Sequence, residues 1–180
     1  MKGFIFTEFL DLVENKFGLE MVDKIITQSK LESGGIYTSI GTYDFSEMLR
    51  LLTNLSDNTD IPIDDLLLVY SEHLFLVLAR THPYLIEHYK DPMDFLASIE
   101  NHIHIEVQKI YPEAQLPTFE MIERSDHKMV MLYKSDRALY MLGKGLMQET
   151  FKLFNVTGTI DLEKLNSQGT EVKFTITREL

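Results

Sequence analysis

The chain has 180 residues, with 28 acidic and 17 basic side chains, a formal net charge of −11 and no cysteine. Its length suits one domain that buries roughly 70% of its unfolded surface, which leaves room for a core that holds a ligand. The acidic balance argues against nucleic acid and anionic membranes as partners, and the lack of cysteine excludes disulfides, thiolate zinc sites, iron–sulfur clusters and thiol catalysis.

The amino terminus predicts a protein of the cytoplasm. Residues 1–18 carry acids at Glu8, Asp11 and Glu14 within their apolar stretch and lack a small-residue cleavage site, so we do not expect a signal peptide. No apolar run approaches the length that spans a bilayer. We therefore expect a cytoplasmic protein with no membrane partner.

Helical spacing of apolar residues predicts five helices before residue 90. The first helix is predicted over residues 2–16, with a stop at Gly18, and the second over about 19–30. The third begins at a cap, Asp44 or Ser46, and ends at Leu55. The fourth begins at Pro62 and includes residues 66–78, and the fifth begins at His82-Pro83 and ends near Tyr89. The fourth helix is apolar on almost every side, so we expect it to be buried on more than one side.

A histidine pair stands on the next predicted helix, residues 92–111, which Asp91 caps and Pro92 opens. Its apolar stripe consists of Phe95, Ile99, Ile103, Val107 and Ile110. His102 and His104 flank this stripe on opposite sides, because two positions along a helix differ by about 200° of rotation. Only one of them can face a single flat ligand, and helical geometry does not say which. For either residue alone, an ordinary half-buried histidine is the commoner interpretation.

After Pro117 the pattern changes from helical spacing to alternation. Strands are predicted at 118–124 and 128–134 around a Ser125-Asp126-His127 turn, a long helix at 136–154, and strands at 155–161 and 170–178 around a turn at 166–169. Helices followed by an antiparallel sheet with one inserted helix define an α+β fold.

Tyr133, Ser135 and Arg137 lie two residues apart, so on an extended segment their side chains project from one face. Two hydroxyls beside a guanidinium can hold a carboxylate or phosphate, because arginine grips an anion with two parallel hydrogen bonds. On spacing alone, a strand end that simply becomes polar is the more frequent explanation.

The order of these motifs resembles the haem nitric oxide/oxygen binding (H-NOX) family over the whole chain. The matching features are His104, Tyr111-Pro112, Pro117, the Tyr-x-Ser-x-Arg motif at residues 133–137, Met1-Lys2-Gly3 and Tyr43-Asp44. The resemblance implies one domain, with a helical subdomain over 1–60 packed on haem-ligating helices and a sheet over 61–180, and the haem buried between them.

The resemblance also implies the binding residues. His104 would be the axial ligand of the iron of haem b, and Tyr133, Ser135 and Arg137 would bind its propionates. Pro117 would pack against the porphyrin and distort it. The family pattern gives His102 no role.

The choice of gas follows from the opposite face of the haem. Family members that keep O2 bound have a tyrosine five residues after the motif's arginine, where this chain has Leu142. The other positions that would line the cavity are Ile5, Leu74 and Leu78. Bound O2 gains from a hydrogen-bond donor whereas NO does not need one, so this aliphatic set favours NO. Tyr140 lies about 200° around the helix from Leu142 and is interpreted as packing.

The resemblance implies a bacterial NO sensor, with CO as a further candidate ligand, rather than an enzyme. NO would break the iron–histidine bond, and the freed helix would shift the amino-terminal helices against the sheet half. A histidine kinase or a cyclic-di-GMP enzyme, either a diguanylate cyclase or a phosphodiesterase, would receive the signal. Unlike some bacterial relatives, this chain has no cysteine for a zinc site.

Two alternatives remain open. If residues 101–107 formed a strand, His102 and His104 would share a face, as in His-x-His zinc hydrolases, although the chain is too short for the barrel that usually carries that motif. The other alternative is a cofactor-free regulatory domain in which the histidines and aromatic residues are only core.

Overall fold

The computed structural model describes residues 1–179, and within them the fold is α+β, as predicted. The helices are α1 (Gly3–Phe17), α2 (Leu19–Ser29), α3 (Phe45–Thr59), α4 (Ile63–Thr81), α5 (Pro92–Ala97), α6 (His104–Ile110) and α7 (Tyr140–Leu153). The strands are β1 (Thr118–Arg124), β2 (Lys128–Lys134), β3 (Gly158–Lys164) and β4 (Glu171–Arg178). The chain divides into two compact units, Met1–Leu74 and the part from Phe75 onward. Over residues 1–179, none of the helices combines the length and apolar character needed to cross a bilayer.

The first unit is helical, and its core is built on one face of α1. Phe6 and Phe9 are almost fully buried, whereas Phe4 and Ile5 keep part of their surface exposed. The apolar face of α1 is therefore centred on the two buried phenylalanines. Gly18 ends α1 with a φ of 85°, a backbone conformation that glycine adopts without steric cost.

Helix α3 is longer than predicted. Asp44 caps it, because its side chain accepts a hydrogen bond from the Ser46 N–H. The helix continues beyond Leu55 to Thr59, so the predicted end was wrong. Polar side chains in this last part form hydrogen bonds with the helix backbone, as the Thr59 hydroxyl does with the Leu55 carbonyl at 2.7 Å. The helix ends where Asp60 adopts a left-handed backbone conformation.

The second unit contains a four-stranded antiparallel sheet in the order β1-β2-β4-β3. Both strands β1 and β2 occupy the predicted residues, and one irregularity in their register lies between Met121 and Glu123. The core of this unit packs α5 and α7 residues with inward-facing residues of the strands, including Phe95, Met131, Tyr133, Met147, Phe151 and Phe174.

Several predicted boundaries in this unit were wrong, including the end of β3, which lies at Lys164 instead of residue 161. The short helix predicted over 83–89 is a 3-10 turn, Pro83–Leu85. Helix α7 begins at Tyr140 instead of residue 136, because Ala138 adopts a positive φ of 51° and its N–H bonds back to Ser135. Strand β3 begins at Gly158 instead of residue 155, because residues 154–156 complete the end of α7, where the Val156 N–H donates to the Phe151 carbonyl.

Candidate functional site

The helix predicted over residues 92–111 is interrupted immediately before His104. After α5, residues Ile99–Ile103 form a π-helical turn, and α6 begins at His104. The Ser98 carbonyl accepts from the N–H of Ile103, and the Ile99 carbonyl accepts from the N–H of His104, so both bonds span five residues. The expectation of one continuous α-helix was therefore wrong. Such wide turns are rare and occur frequently at functional sites.

The two histidines have different neighbours. His102 Nδ1 lies 2.8 Å from the Tyr89 hydroxyl, within hydrogen-bonding distance. His104 Nδ1 lies 3.4 Å from Oε2 of Glu100, and its ring centroid is 5.9 Å from that of Phe119. Residues 101–107 are helical, so the strand that the zinc-hydrolase alternative requires is not formed.

His104 is suited to bind a metal through its imidazole. Its side chain is 16% exposed, and burial lowers the pKa of the imidazole below the ordinary value, although the nearby Glu100 carboxylate acts in the opposite direction. The ring is therefore neutral at pH 7 and keeps a lone pair. Within residues 1–179, the buried Nδ1 has no hydrogen-bond partner, although Glu100 Oε2 lies 3.4 Å from it.

Phe119 joins His104 to the polar motif that follows. Its backbone N–H donates to Glu100 Oε2 at 3.0 Å, and its ring lies 5.5 Å from that of Tyr133. Neither Phe119 nor Glu100 was predicted from the sequence to belong to the site. The signals were present, since Glu100 stands four residues before His104 and Phe119 occupies a core-facing position two residues after Pro117.

Tyr133 lies on β2, whereas Ser135 follows the strand and Arg137 stands in the next turn, so the motif is extended only in part. Burial raises the pKa of the Tyr133 hydroxyl, although Ser135, the backbone of Leu139 and the charge of Arg137 act in the opposite direction, so the hydroxyl stays protonated. The Ser135 hydroxyl accepts from the backbone N–H of Arg137 at 3.2 Å. The Arg137 guanidinium donates to two oxygens of Gln115, the backbone carbonyl at 2.6 Å and Oε1 at 2.7 Å. Two adjacent oxygens are also what a carboxylate presents to arginine.

The remaining predicted site residues are distributed over both units. Pro117 is partly buried directly before β1. Ile5 on α1 and Leu74 on α4 belong to the first unit, and Leu78 on α4 and Leu142 on α7 belong to the second. Leu74 is 3% exposed, and the other three leucine and isoleucine side chains are partly buried.

Tyr140 is a core residue, as the sequence predicted. It is 7% exposed within the core of the second unit, and the Lys164 ammonium lies 4.8 Å from its ring centroid.

Comparison with known proteins identifies the family of this chain. The chain matches the haem-NO-binding family model over residues 2–162. It is 63% identical to the Fe(II) unliganded H-NOX protein of K. algicida, with a TM-score of 0.98 over 100% of this chain and 97% of that one. It is 35% identical to the IWP-051-bound H-NOX of Shewanella woodyi in the Fe(II)CO state, with a TM-score of 0.84 over 99% of this chain and 95% of that one.

A curated relative is much longer. The soluble guanylate cyclase gcy-35 of Caenorhabditis elegans is 28% identical over 154 residues, which are 83% of this chain and 22% of the relative. The chain therefore spans about a fifth of that protein's length.

The fold and the site together define a haem-based gas-sensing domain. The chain belongs to the haem-NO-binding, or H-NOX, family, which confirms the resemblance seen in the sequence. Domains of this family bind iron haem.

The residues of this chain fit that cofactor. Within the described residues, no three His, Cys, Asp or Glu side chains are grouped to hold a metal ion, so an ion on His104 needs ligands from elsewhere, such as a porphyrin ring. A neutral imidazole is a usual axial ligand of haem iron, and the group around Arg137 suits two propionate carboxylates.

Proposed function

We propose that the chain senses nitric oxide at a ferrous haem b held by His104. The observation that carries this proposal is the link through Phe119 between the buried, neutral His104 and Tyr133 of the polar motif, in a chain of this family. Haem bound there would supply the iron that binds a diatomic gas.

The protein residues would hold and orient the cofactor. His104 would bind iron through Nε2, because Nδ1 is buried and faces Glu100. Arg137 would exchange the two Gln115 oxygens for a propionate, with the hydroxyls of Tyr133 and Ser135 filling further lone pairs. Pro117 would pack against the porphyrin from its place before β1.

The gas preference would follow from side chains without donors. Ile5, Leu74, Leu78 and Leu142 are aliphatic, so none of them can donate a hydrogen bond to bound O2. NO binds ferrous iron tightly without such help. The Shewanella woodyi relative is described in a CO-bound state, which supports CO as a second ligand.

The signal would start at His104. Its release from iron would free α6, which has no fully buried residue among its seven, and a partner protein would detect the movement. We propose a bacterial histidine kinase, diguanylate cyclase or phosphodiesterase as that partner, in the cytoplasm. Similarity to a guanylate cyclase supports an output through nucleotide cyclisation. The chain itself would catalyse no reaction.

Replacing the iron ligand tests this function. We expect His104→Gly to purify without haem unless imidazole is added, because the cavity left by the side chain can accept free imidazole. Soret absorbance per mole of protein measures retention. His102→Ala is the matched control and should keep its haem, because His102 contacts Tyr89 instead. Normal haem content in His104→Gly would contradict the proposal.

A further inference from the structure

We propose that Glu100 is a positioning residue that accepts a hydrogen bond from the Nδ1–H of His104 and thereby sets the strength of the iron–histidine bond. This inference rests on the proposed function. It assigns to Glu100 control over how readily a bound gas releases His104.

The position of the Glu100 carboxylate is fixed by backbone. Its Oε2 accepts the Phe119 N–H at 3.0 Å, and the same oxygen lies 3.4 Å from His104 Nδ1. The Phe119 N–H of β1 therefore fixes the position of Glu100 Oε2 beside the His104 imidazole. Because Nδ1 is buried and is otherwise without a partner in residues 1–179, Glu100 is the acceptor available to it.

Burial differs between the two side chains in a way that suits this role. The Glu100 side chain is 41% exposed, whereas the His104 side chain is 16% exposed. Contact with water spares the carboxylate the full cost of burying a charge, while the ring remains shielded. The π-helical turn between Ile99 and Ile103 includes Glu100 and ends directly before His104, so the pair is set by this local backbone.

The chemical consequence concerns the donor strength of the imidazole. A metal-binding histidine whose second nitrogen donates to a carboxylate is held in one tautomer and becomes a stronger base. With Nδ1–H directed at Glu100, Nε2 carries the lone pair, and its bond to iron is strengthened. Loss of the Glu100 charge should weaken that bond without moving the backbone.

The test compares Glu100→Gln with wild type in the haem-loaded ferrous protein. Glutamine has the size of glutamate and can still accept the Phe119 N–H, so a packing role alone predicts no change. We expect the iron–histidine stretching frequency, measured by resonance Raman, to shift lower. We also expect haem transfer to apomyoglobin to become roughly 10-fold faster, the lower end of losses caused by removing such a partner.

A matched control and a second variant complete the experiment. Glu106→Gln makes the same substitution on α6, where Glu106 pairs with Lys109, and should behave as wild type. If Glu100→Gln loses its haem, Glu100→Asp is measured instead. Aspartate keeps the charge on a shorter side chain, so the iron–histidine stretching frequency should lie below that of wild type. Equal frequencies in wild type and the Glu100 variants, with haem retained, overturn the inference alone. A wild-type chain that binds no haem overturns the proposed function itself.

Discussion

Arg137 brings a permanent positive charge to the candidate site, and Gln115 orients it. The two terminal guanidinium nitrogens each donate to one oxygen of Gln115, so the side chain is already placed for an acceptor with two oxygens. In an acidic protein, this residue is well suited to hold a dianionic cofactor.

Removing this charge should weaken haem binding. We expect Arg137→Leu to cost about 2 kcal/mol, or roughly thirty-fold in affinity, because a hydrogen bond to a charged group contributes this much. Haem transfer to apomyoglobin measures the change. Lys134→Leu is the control, because Lys134 is exposed and pairs with Glu120 on the surface. Equal transfer rates in the two variants would contradict the role of Arg137.

Leu142 is the residue at which gas preference can be changed. We expect Leu142→Tyr to stabilise an O2 complex, because the new hydroxyl would donate to the partly negative bound oxygen. The absorption spectrum of the reduced protein in air reports this. Leu153→Tyr places the same side chain at an exposed position of α7 and should leave the spectrum unchanged. A wild type that stays oxygenated in air would show that the aliphatic positions were wrongly assigned.

At the residue scale, the sequence could predict the pair of histidines but not their surroundings. Helical spacing placed His102 and His104 on opposite sides of an apolar stripe but could not show which of them faces a ligand. The partners that distinguish them come from elsewhere in the chain, namely Tyr89 for His102 and Phe119 for His104. Spacing predicted one face for Tyr133, Ser135 and Arg137 on an extended segment, but β2 ends at Lys134 and Arg137 stands in a turn.

Among the elements, the loop between α2 and α3 depends on one buried carboxylate. Glu47 is 3% exposed and accepts hydrogen bonds from the Ser33 N–H at 3.0 Å, the Ser33 hydroxyl at 2.6 Å and the Tyr37 hydroxyl at 2.6 Å. Tyr37 in turn stacks on Phe6 of α1, with ring centroids 4.4 Å apart. Glu47 therefore ties the loop to two helices of the first unit.

Truncating this carboxylate should destabilise the protein. We expect Glu47→Ala to lower the free energy of unfolding by about 2 kcal/mol at pH 7, because it leaves partly buried donors of Ser33 and Tyr37 without an acceptor. Urea denaturation followed by circular dichroism measures this. Glu20→Ala on the exposed side of α2 should change stability by no more than about 0.5 kcal/mol.

The effect of Glu47 should also depend on pH. Burial acts to raise its pKa, but the hydrogen bonds from Ser33 and Tyr37 outweigh burial, so the pKa in the folded protein is lowered. Stability from a lowered carboxyl pKa is fully present above the unfolded value of about 4.3 and is lost as the pH falls through the folded value. The difference between wild type and Glu47→Ala should therefore narrow below about pH 4.3. A difference that widens on acidification would contradict this assignment.

Elements with strong local signals were the ones that the sequence located well. Both β1 and β2 follow from clear alternation around a polar turn. The start of α7 and the π-helical turn were missed, because each depends on a backbone departure that residue type does not announce. Ala138 has a positive φ although alanine rarely adopts one, and Ile99–Ile103 consists of residues compatible with an ordinary α-helix.

For the whole molecule, the proposed signal is a change that NO causes and that reaches beyond the site. A net charge of −11 suits docking of the protein to a basic surface on the partner. The step that precedes docking can be observed without knowing that partner.

Hydrogen exchange of the haem-loaded ferrous protein provides this observation. On addition of NO, we expect faster amide exchange over residues 99–110, because release of His104 would leave the π-helical turn and α6 less constrained. His104→Gly loaded with haem and imidazole should show no such increase, because its iron ligand is not joined to the chain. Faster exchange in this control as well would mean that the change does not pass through His104.

The wide turn over Ile99–Ile103 changes the direction in which the side chains after it point around the helix axis. A five-residue hydrogen bond accommodates one amino acid more than an α-helical turn does, so side chains before and after it are offset by about 100°. The direction of the iron-binding imidazole is thus set by a local insertion and not by the hydrophobic periodicity that begins at Phe95. If the same amino acids formed a regular α-helix instead, the imidazole would be rotated by about 100° from its present direction beside Phe119.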